Sequence, residues 1–225
     1  MLGLGLCGLL IDFKLDRSLA AGPPIPQSQT EFAARQTIFH QNQTVDKVPI
    51  ICDGWAAATF KLSNGRRQIL SFLLPGEMIT CRLVFEPQLH VSVDSITDGS
   101  YRTFDRAQLR TAMSNSPAAF DRILSAYNAE SSRADQLIVD LGRRNASERV
   151  AGLLIDLWDR LEKLNKTDGN SVEFPLRQIH IADATGLTTV YVNKVLGEFR
   201  HKGMVDISDR SLQILDMTKL RRLAA

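Results

Sequence analysis

The sequence predicts an α+β fold laid out in three parts: short antiparallel strands, then one long helix, then a small helical unit closed by a β-hairpin. Three observations carry that prediction. Between residues 32 and 104, apolar runs of strand length are punctuated by turn residues. Between 117 and 141, apolar and small residues recur at alternating spacings of four and three. From 177 onward two short helical patterns meet at a glycine, and a strand–turn–strand pattern follows. The boundaries read as 1–31 for an N-terminal segment and linker, 32–116 for the strand-rich domain, 117–142 for the long helix and 143–225 for the C-terminal domain.

At 225 residues the chain is long enough to build two cores. A hydrophobic content of 44% with 23% charged residues is that of an ordinary globular protein. The net charge of +2 says little as a whole. From Gly142 onward, however, 14 Lys/Arg stand against 11 Asp/Glu, a net of +3, while the residues before it carry 13 against 14, a net of −1. That sign is the one expected if the C-terminal part meets phosphates. Cys7, Cys52 and Cys81 are odd in number and far apart, which suits free thiols in a reducing cytosol and not a disulfide framework or closed zinc site. The opening MLGLGLCGLLIDFKLD lacks the basic start and cleavage site of a signal peptide and is too short to span a bilayer. It reads as a buried or partner-packed segment of a cytoplasmic protein, and the Pro-, Gln- and Ser-rich stretch 20–31 reads as a linker.

In the strand region, Trp55–Leu62 and Gln68–Leu74 flank Asn64-Gly65, a hairpin signal because both turn residues tolerate positive φ. Pro75-Gly76 closes the second strand, His90–Ile96 alternates, Thr97-Asp98-Gly99 turns, and Tyr101–Phe104 resumes. Pro117 opens the long helix. Its seam is Phe120, Leu124, Tyr127, Ser131, Ala134, Ile138 and Leu141, which is the a/d pattern of a two-stranded coiled coil. Packing of that stripe on the chain's own domain remains the alternative. The residues Glu130, Arg133, Asp135, Gln136 and Asp140 mark a polar opposite face. Arg143–Ala146 interrupts the pattern, and a further helix is predicted from an N-cap at Ser147 to about Leu164, with Val150, Leu153, Leu154, Leu157, Trp158 and Leu161 inward. A turn at 167–170 and a short strand, Val172–Pro175, lead on.

Residues 177–184 form a first helical pattern with Ile179, Ala182 and Ala184 available for packing, and Gly186 permits a tight corner. Thr188 caps a second helix running to about His201 with Val192, Val195, Leu196 and Phe199 toward the core. Such a corner, followed by the hairpin Gly203–Leu215, is a winged helix-turn-helix, in which the N-terminal end of the second helix enters the DNA major groove. Thr189, Val190, Tyr191 and Lys194 are then the base-edge readers: Lys194 suits guanine, and Val190 and the Thr189 methyl suit a thymine methyl. Thr188, Arg177, Lys202 and Arg210 are candidate phosphate contacts. A terminal helix follows Asp216.

With these segments in view, the chain resembles the cyclic-AMP receptor protein/fumarate-nitrate regulator (Crp/Fnr) family of bacterial transcription factors. Leu141–Leu154 is similar to the family's post-hinge helix, Gly186–Leu196 to its recognition helix, and Leu73–Ile79 to its β-roll turn. The match spans about residues 32–222. The resemblance implies an antiparallel, jelly-roll-like β-roll of the cyclic-nucleotide-binding-domain fold acting as a sensor, a central dimerisation helix and a winged helix-turn-helix, in a homodimer.

Departures from the family pattern bear on the effector. Members that bind cyclic AMP carry a Gly-Glu pair and a later Arg-Ser or Arg-Thr pair; here those positions read Thr80-Cys81 and Leu89-His90. A cyclic phosphate without its arginine is poorly compensated, which argues against cyclic AMP, although Arg82 lies near. Cys7 alone cannot form the iron–sulfur cluster of the family's oxygen sensors. Haem, a metal or redox chemistry would have to use Cys52, Cys81, His40 and His90, so no cofactor is expected. The candidate effector pocket is Cys81, Arg82, His90 and Tyr127. On the recognition helix many members place Glu and Arg where this chain has Val190 and Lys194; a subgroup with Val-His-Val-Asn-Arg is closer to Val-Tyr-Val-Asn-Lys here.

The reading is a homodimeric, sequence-specific DNA-binding regulator on a near-palindromic operator, any β-roll signal acting through a hinge near Leu141–Arg144. Its partners are double-stranded DNA, a second copy of itself and, for an activator, RNA polymerase, with no membrane. The alternative is a small-molecule or redox sensor whose winged helix contacts protein. An enzyme would need an organised acid/base or metal set that His40 and His90 do not provide.

Overall fold

The computed structural model describes residues 28–224. The expectations for the N-terminal segment, Cys7 and most of the linker lie outside the described residues. The chain divides into two compact units that meet between Ala134 and Asp135, inside the long helix.

The first unit is strand-rich. Strands β1 (Ser28–Phe32), β2 (Thr37–Phe39), β3 (Lys47–Asp53), β4 (Ala56–Lys61), β5 (Arg67–Leu73), β6 (Ser92–Ser95) and β7 (Gly99–Asp105) form two antiparallel sheets, ordered β1-β7-β3 and β2-β6-β4-β5. β1 starts inside the stretch read as linker, because Ser28–Phe32 pairs along β7 from Thr103 to Gly99. Both sheets share one core that includes Val48, Ile51, Leu73, Leu83, Leu89, Val93 and Phe104. The β4–β5 hairpin forms as predicted but closes differently: only Gly65 takes positive φ (82°), and Leu62 and Arg66 bracket a three-residue loop.

Helix α1 (Arg106–Asn115) was not anticipated. Asp105 caps it by accepting a hydrogen bond from the Gln108 N–H at 2.9 Å, and it buries Leu109 in the strand-unit core. Ser116 is extended, as a residue before proline must be, and α2 (Pro117–Arg143) begins with proline in its first turn. Within the first unit α2 buries Ala119 and Ile123, not the predicted seam. Phe120, Leu124, Tyr127, Ser131, Ala134 and Ile138 are all exposed, Ile138 to 71%. Glu130 and Arg133, read as part of the polar outer face, instead lie on the half-buried side near the strands.

The second unit begins with the last two turns of α2. Helix α3 (Ala146–Lys163) is capped by Asn145 and not by Ser147. Asn145 accepts from the Ser147 and Glu148 N–H groups and Glu148 reaches back to the Asn145 N–H, a reciprocal capping box. α3 buries Val150, Ala151, Leu154, Leu157, Trp158 and Leu161. Strands β8 (Thr167–Asp168), β9 (Ser171–Glu173), β10 (Val205–Ser208) and β11 (Ser211–Ile214) form one sheet ordered β10-β11-β9-β8, so the wing is half of a four-stranded sheet. Helices α4 (Gln178–Thr185), α5 (Thr189–His201) and α6 (Met217–Ala224) complete the unit, and Arg221 of α6 holds Asp159 of α3 through both carboxylate oxygens.

Candidate nucleic-acid interface

The corner between α4 and α5 forms where a glycine allows it. Gly186 adopts φ 66° and ψ 31°, the left-handed conformation that costs an L-residue roughly 1–2 kcal/mol. α4 buries His180, Ile181, Ala182, Ala184 and Thr185, whereas Ile179, expected to pack, is exposed. The His180 Nδ1 accepts the Arg177 N–H at 3.2 Å and closes the start of the helix. Thr188 caps α5 as predicted, its hydroxyl accepting from the Tyr191 N–H at 3.2 Å. Val192, Val195 and Phe199 anchor the inner face, with Leu196 half-buried.

That anchoring turns the predicted reading residues outward. Val190 is 80% exposed, Tyr191 and Lys194 are exposed, and Thr189 is half-buried. The Lys194 ammonium stands over the Tyr191 ring at 5.9 Å, a cation–π contact between two of these side chains. No acidic residue occupies the first turn of α5. No side-chain carboxylate of that turn therefore opposes the positive end of its dipole. Sequence reasoning did not identify Gln178, whose side-chain amide donates to Asn193 Oδ1 at 3.0 Å and ties α4 to the outer face of α5.

The wing is tied to the same helix. Gly203, at φ 63°, ends α5 in a Schellman-type turn in which the Met204 N–H reaches the Phe199 carbonyl at 2.9 Å. Arg200 then bridges helix and strand, giving Asp206 Oδ1 a hydrogen bond at 2.7 Å and the Ile207 carbonyl one at 2.9 Å. Opposite charges on either side of Gly203 were the available sequence signal for this clamp. At the wing tip Asp209 (φ 48°) and Arg210 (φ 59°) both take left-handed backbone between the paired Ser208 and Ser211. Arg210 lies 3.8 Å from Glu173 Oε1, both side chains being largely exposed.

The candidate phosphate contacts separate into two places. Thr188 and Arg177 flank the start of α5 and the start of α4. Lys202 lies at the other end of α5, about 20 Å away at 1.5 Å per residue. There it joins Lys219 and Arg222 around a hollow of about 440 Å³ floored by Met204 and Leu223.

In the first unit the candidate effector residues also divide. A short 3₁₀ helix, Cys81–Val84, is capped by Thr80. Arg82 and His90 are exposed and both reach Glu86, at 3.3 and 3.4 Å. Tyr127 is exposed on α2, and Cys81 is buried and free. Cys52 is buried in β3. The first turn of the 3₁₀ helix is engaged by Glu130 of α2, whose carboxylate accepts the Thr80 hydroxyl at 2.6 Å and the Cys81 N–H at 2.8 Å. Burial, and then the Glu130 charge and hydrogen bond, push the Cys81 thiol up to about 12. Among the described residues no three His, Cys, Asp or Glu side chains gather as metal ligands, and no helix is long and apolar enough to cross a membrane.

Known proteins place both units. Residues 29–116 match the family model of the cyclic nucleotide-binding domain, and residues 148–223 match that of the Crp-like helix-turn-helix domain. The transcriptional activatory protein AadR of Rhodopseudomonas palustris is 28% identical over 99% of this chain and 90% of its own length. The nitrogen fixation regulation protein FixK of Bradyrhizobium diazoefficiens is 28% identical over 88% of this chain and 82% of its own. The solved structure of FixK2 from Bradyrhizobium japonicum superposes with a TM-score of 0.79 at 25% identity, covering 88% of this chain and 97% of that one. With a cyclic-nucleotide-binding fold, a continuous central helix and a Crp-like reading head on one chain, the protein belongs to the Crp/Fnr family of transcriptional regulators.

Proposed function

We propose that this DNA-binding regulator acts as a homodimer that reads a near-palindromic operator, one α5 helix per half-site. The observation that carries the reading is the outer face of α5, where Val190, Tyr191 and Lys194 are exposed at a helix start free of acidic residues. The exposed stripe of α2 supports the dimer, since its apolar members have no place in the chain's own core. Two heads on one face of the duplex would lie about 34 Å apart. Thr188, Arg177 and Arg210 serve as phosphate contacts, Arg210 being presented at the tip of the wing by the two-residue turn between Ser208 and Ser211. Lys202, at the end of α5 just before the wing, is a further candidate of the same kind. The action is binding, not catalysis; if it activates, RNA polymerase is a further partner, as the name of AadR suggests.

The reading includes no cyclic nucleotide and no resident cofactor. The residues present do not fit a cyclic phosphate: the two donors at the 3₁₀ helix already serve Glu130, a carboxylate that would repel it, and Arg82 is paired with Glu86. The test begins with selection of bound sequences from random duplexes, followed by fluorescence anisotropy on the selected site and a scrambled one. Lys194→Ala should lower affinity for the selected site by about 1–3 kcal/mol and barely change the scrambled one. Arg210→Ala should weaken both alike and reduce the salt slope by about 1. Equal losses on both duplexes for Lys194→Ala would remove its base-reading role.

A further inference from the structure

Within the second unit, the helix-turn-helix corner is fastened to the end of α2 by one side chain. Arg149, in the second turn of α3, donates from Nε to the Arg144 carbonyl at 2.8 Å, from Nη2 to the Leu141 carbonyl at 3.0 Å and from Nη1 to the Thr185 carbonyl at 3.2 Å. Leu141 belongs to the last turn of α2, Arg144 to the link after it, and Thr185 is the last residue of α4. Carbonyls at helix C-termini lack intrahelical partners and carry the negative end of the dipole. A guanidinium offers them charge together with a rigid fork of donors; a lysine ammonium has no such fork.

Packing reinforces the clip. A Cβ placed on Gly186 would lie 2.9 Å from Leu141 Cδ2 and 3.7 Å from Arg149 Nη1. Gly186 thus gives the corner its positive φ and also makes room for Leu141. Leu141, the last seam position by spacing, is half-buried while the preceding members of that seam are exposed.

We propose that Arg149 and Leu141 are positioning residues for DNA reading, locking the helix-turn-helix corner to the last turns of α2 so that the spacing of two half-sites is fixed. The segment 141–144, expected to bend, is on this account the rigid joint. The inference rests on the homodimer reading above, because spacing has meaning only for two linked heads.

The experiment uses the full chain and three duplexes: the selected operator, the same operator with one base pair inserted between its half-sites, and a single half-site. One inserted base pair rotates the second half-site by about 34° and shifts it by about 3.4 Å. The unmodified protein should lose about 10-fold or more on the inserted duplex. In Arg149→Ala the penalty should shrink to under about 3-fold, with operator binding weakened and single half-site affinity held within about 2-fold. Arg149→Lys and Leu141→Ala should fall between. Circular dichroism melting monitors folding, and if Arg149→Ala does not fold, those two milder variants decide. An unchanged spacing penalty in folded variants overturns the joint. Indifference to spacing in the unmodified protein removes the two-headed reading, and the joint with it.

Discussion

The two units treat their polar groups in opposite ways. At the start of α5, Val190, Tyr191 and Lys194 face away from the fold, and the Lys194 ammonium stands over the Tyr191 ring. In the strand-rich unit, the groups that the sequence suggested for a ligand are turned onto partners in the same chain. Thr80 and Cys81 give their donors to Glu130, and Arg82 and His90 converge on Glu86. A phosphate arriving at the reading head displaces water and counterions. A ligand arriving at the 3₁₀ helix must also break two short hydrogen bonds to a carboxylate. One unit thus presents its candidate side chains to solvent, and the other satisfies its candidate donors within the chain.

The sharpest break of that contrast would come from the seam of α2. Leu124→Glu together with Ile138→Glu alters exposed side chains and should leave each unit folded, since surface changes usually cost within about 0.5 kcal/mol. If the stripe joins two copies, sedimentation should show a monomer, and affinity for the selected operator should fall by about 100-fold or more as the linked heads are lost. A double variant that stays dimeric would move the interface elsewhere. Next in size is Glu130→Ala, which strips the 3₁₀ helix of its internal anion. Loss of a charge-assisted pair should lower the stability of the strand-rich unit by about 1.5–3 kcal/mol in thermal unfolding. Acetate at high millimolar concentration should restore part of the loss, while chloride at equal ionic strength should restore less. Identical melting in both salts would mean that the site does not become an anion receptor when vacated.

How far these features could be read in advance follows the span of the interactions that make them. The Thr188 cap, the Gly186 corner, the Asn64-Gly65 hairpin and the exposed stripe of α2 depend on residues within a few positions of one another, and the sequence pattern declares them. Asn145-x-x-Glu148 is equally local, but Ser147, itself a good capping residue type, competes with Asn145 in the sequence. Helix α1 is short and buries only Leu109, so its period was too brief to separate from the strands before it. Glu130 was placed on the solvent face because its partners, Thr80 and Cys81, lie about 50 residues back. Arg149 reaches Thr185 across 36 positions, and β11 meets β9 across about 40. Periodicity along one helix distinguishes a buried stripe from a polar one; it carries no information about what a polar residue meets from another element.

A smaller effect separates the units by pH. Asp94 bridges β6 to its neighbours, accepting from Thr37 Oγ1 at 2.6 Å, Thr59 Oγ1 at 2.9 Å and Lys61 Nζ at 3.0 Å. Burial raises its pKa, but those three hydrogen bonds and the Lys61 charge outweigh burial and hold it below the ordinary carboxylate value. A depressed carboxylate contributes stability above its unfolded pKa, about 3.9, and that contribution is lost as pH falls through the lower folded value. Melting of the strand-rich unit should therefore fall below about pH 4, and Asp94→Asn should flatten that part of the profile while costing about 1–3 kcal/mol at neutral pH. A profile unchanged by Asp94→Asn would assign the acid sensitivity to other groups.

The smallest expected effect lies at Cys81, and there the expected result is near silence. With burial pushing its pKa up to about 12, very little of this thiol is ionised at neutral pH, and burial also keeps reagent away. Iodoacetamide should leave the Cys81 peptide unmodified in the native protein, as read by mass spectrometry, and modify it fully after denaturation. Because burial outranks Glu130 among the causes of the shift, Glu130→Ala should raise the native reaction only slightly. The combination discriminates between two accounts of the strand-rich unit. If Cys81 stays silent while Glu130→Ala gains sensitivity to acetate, the unit is closed by its own carboxylate and its thiol is packing. Rapid alkylation of the native protein would instead require the 3₁₀ helix to open in solution, and would return Cys81 to the redox role that the alternative sensor reading gave it.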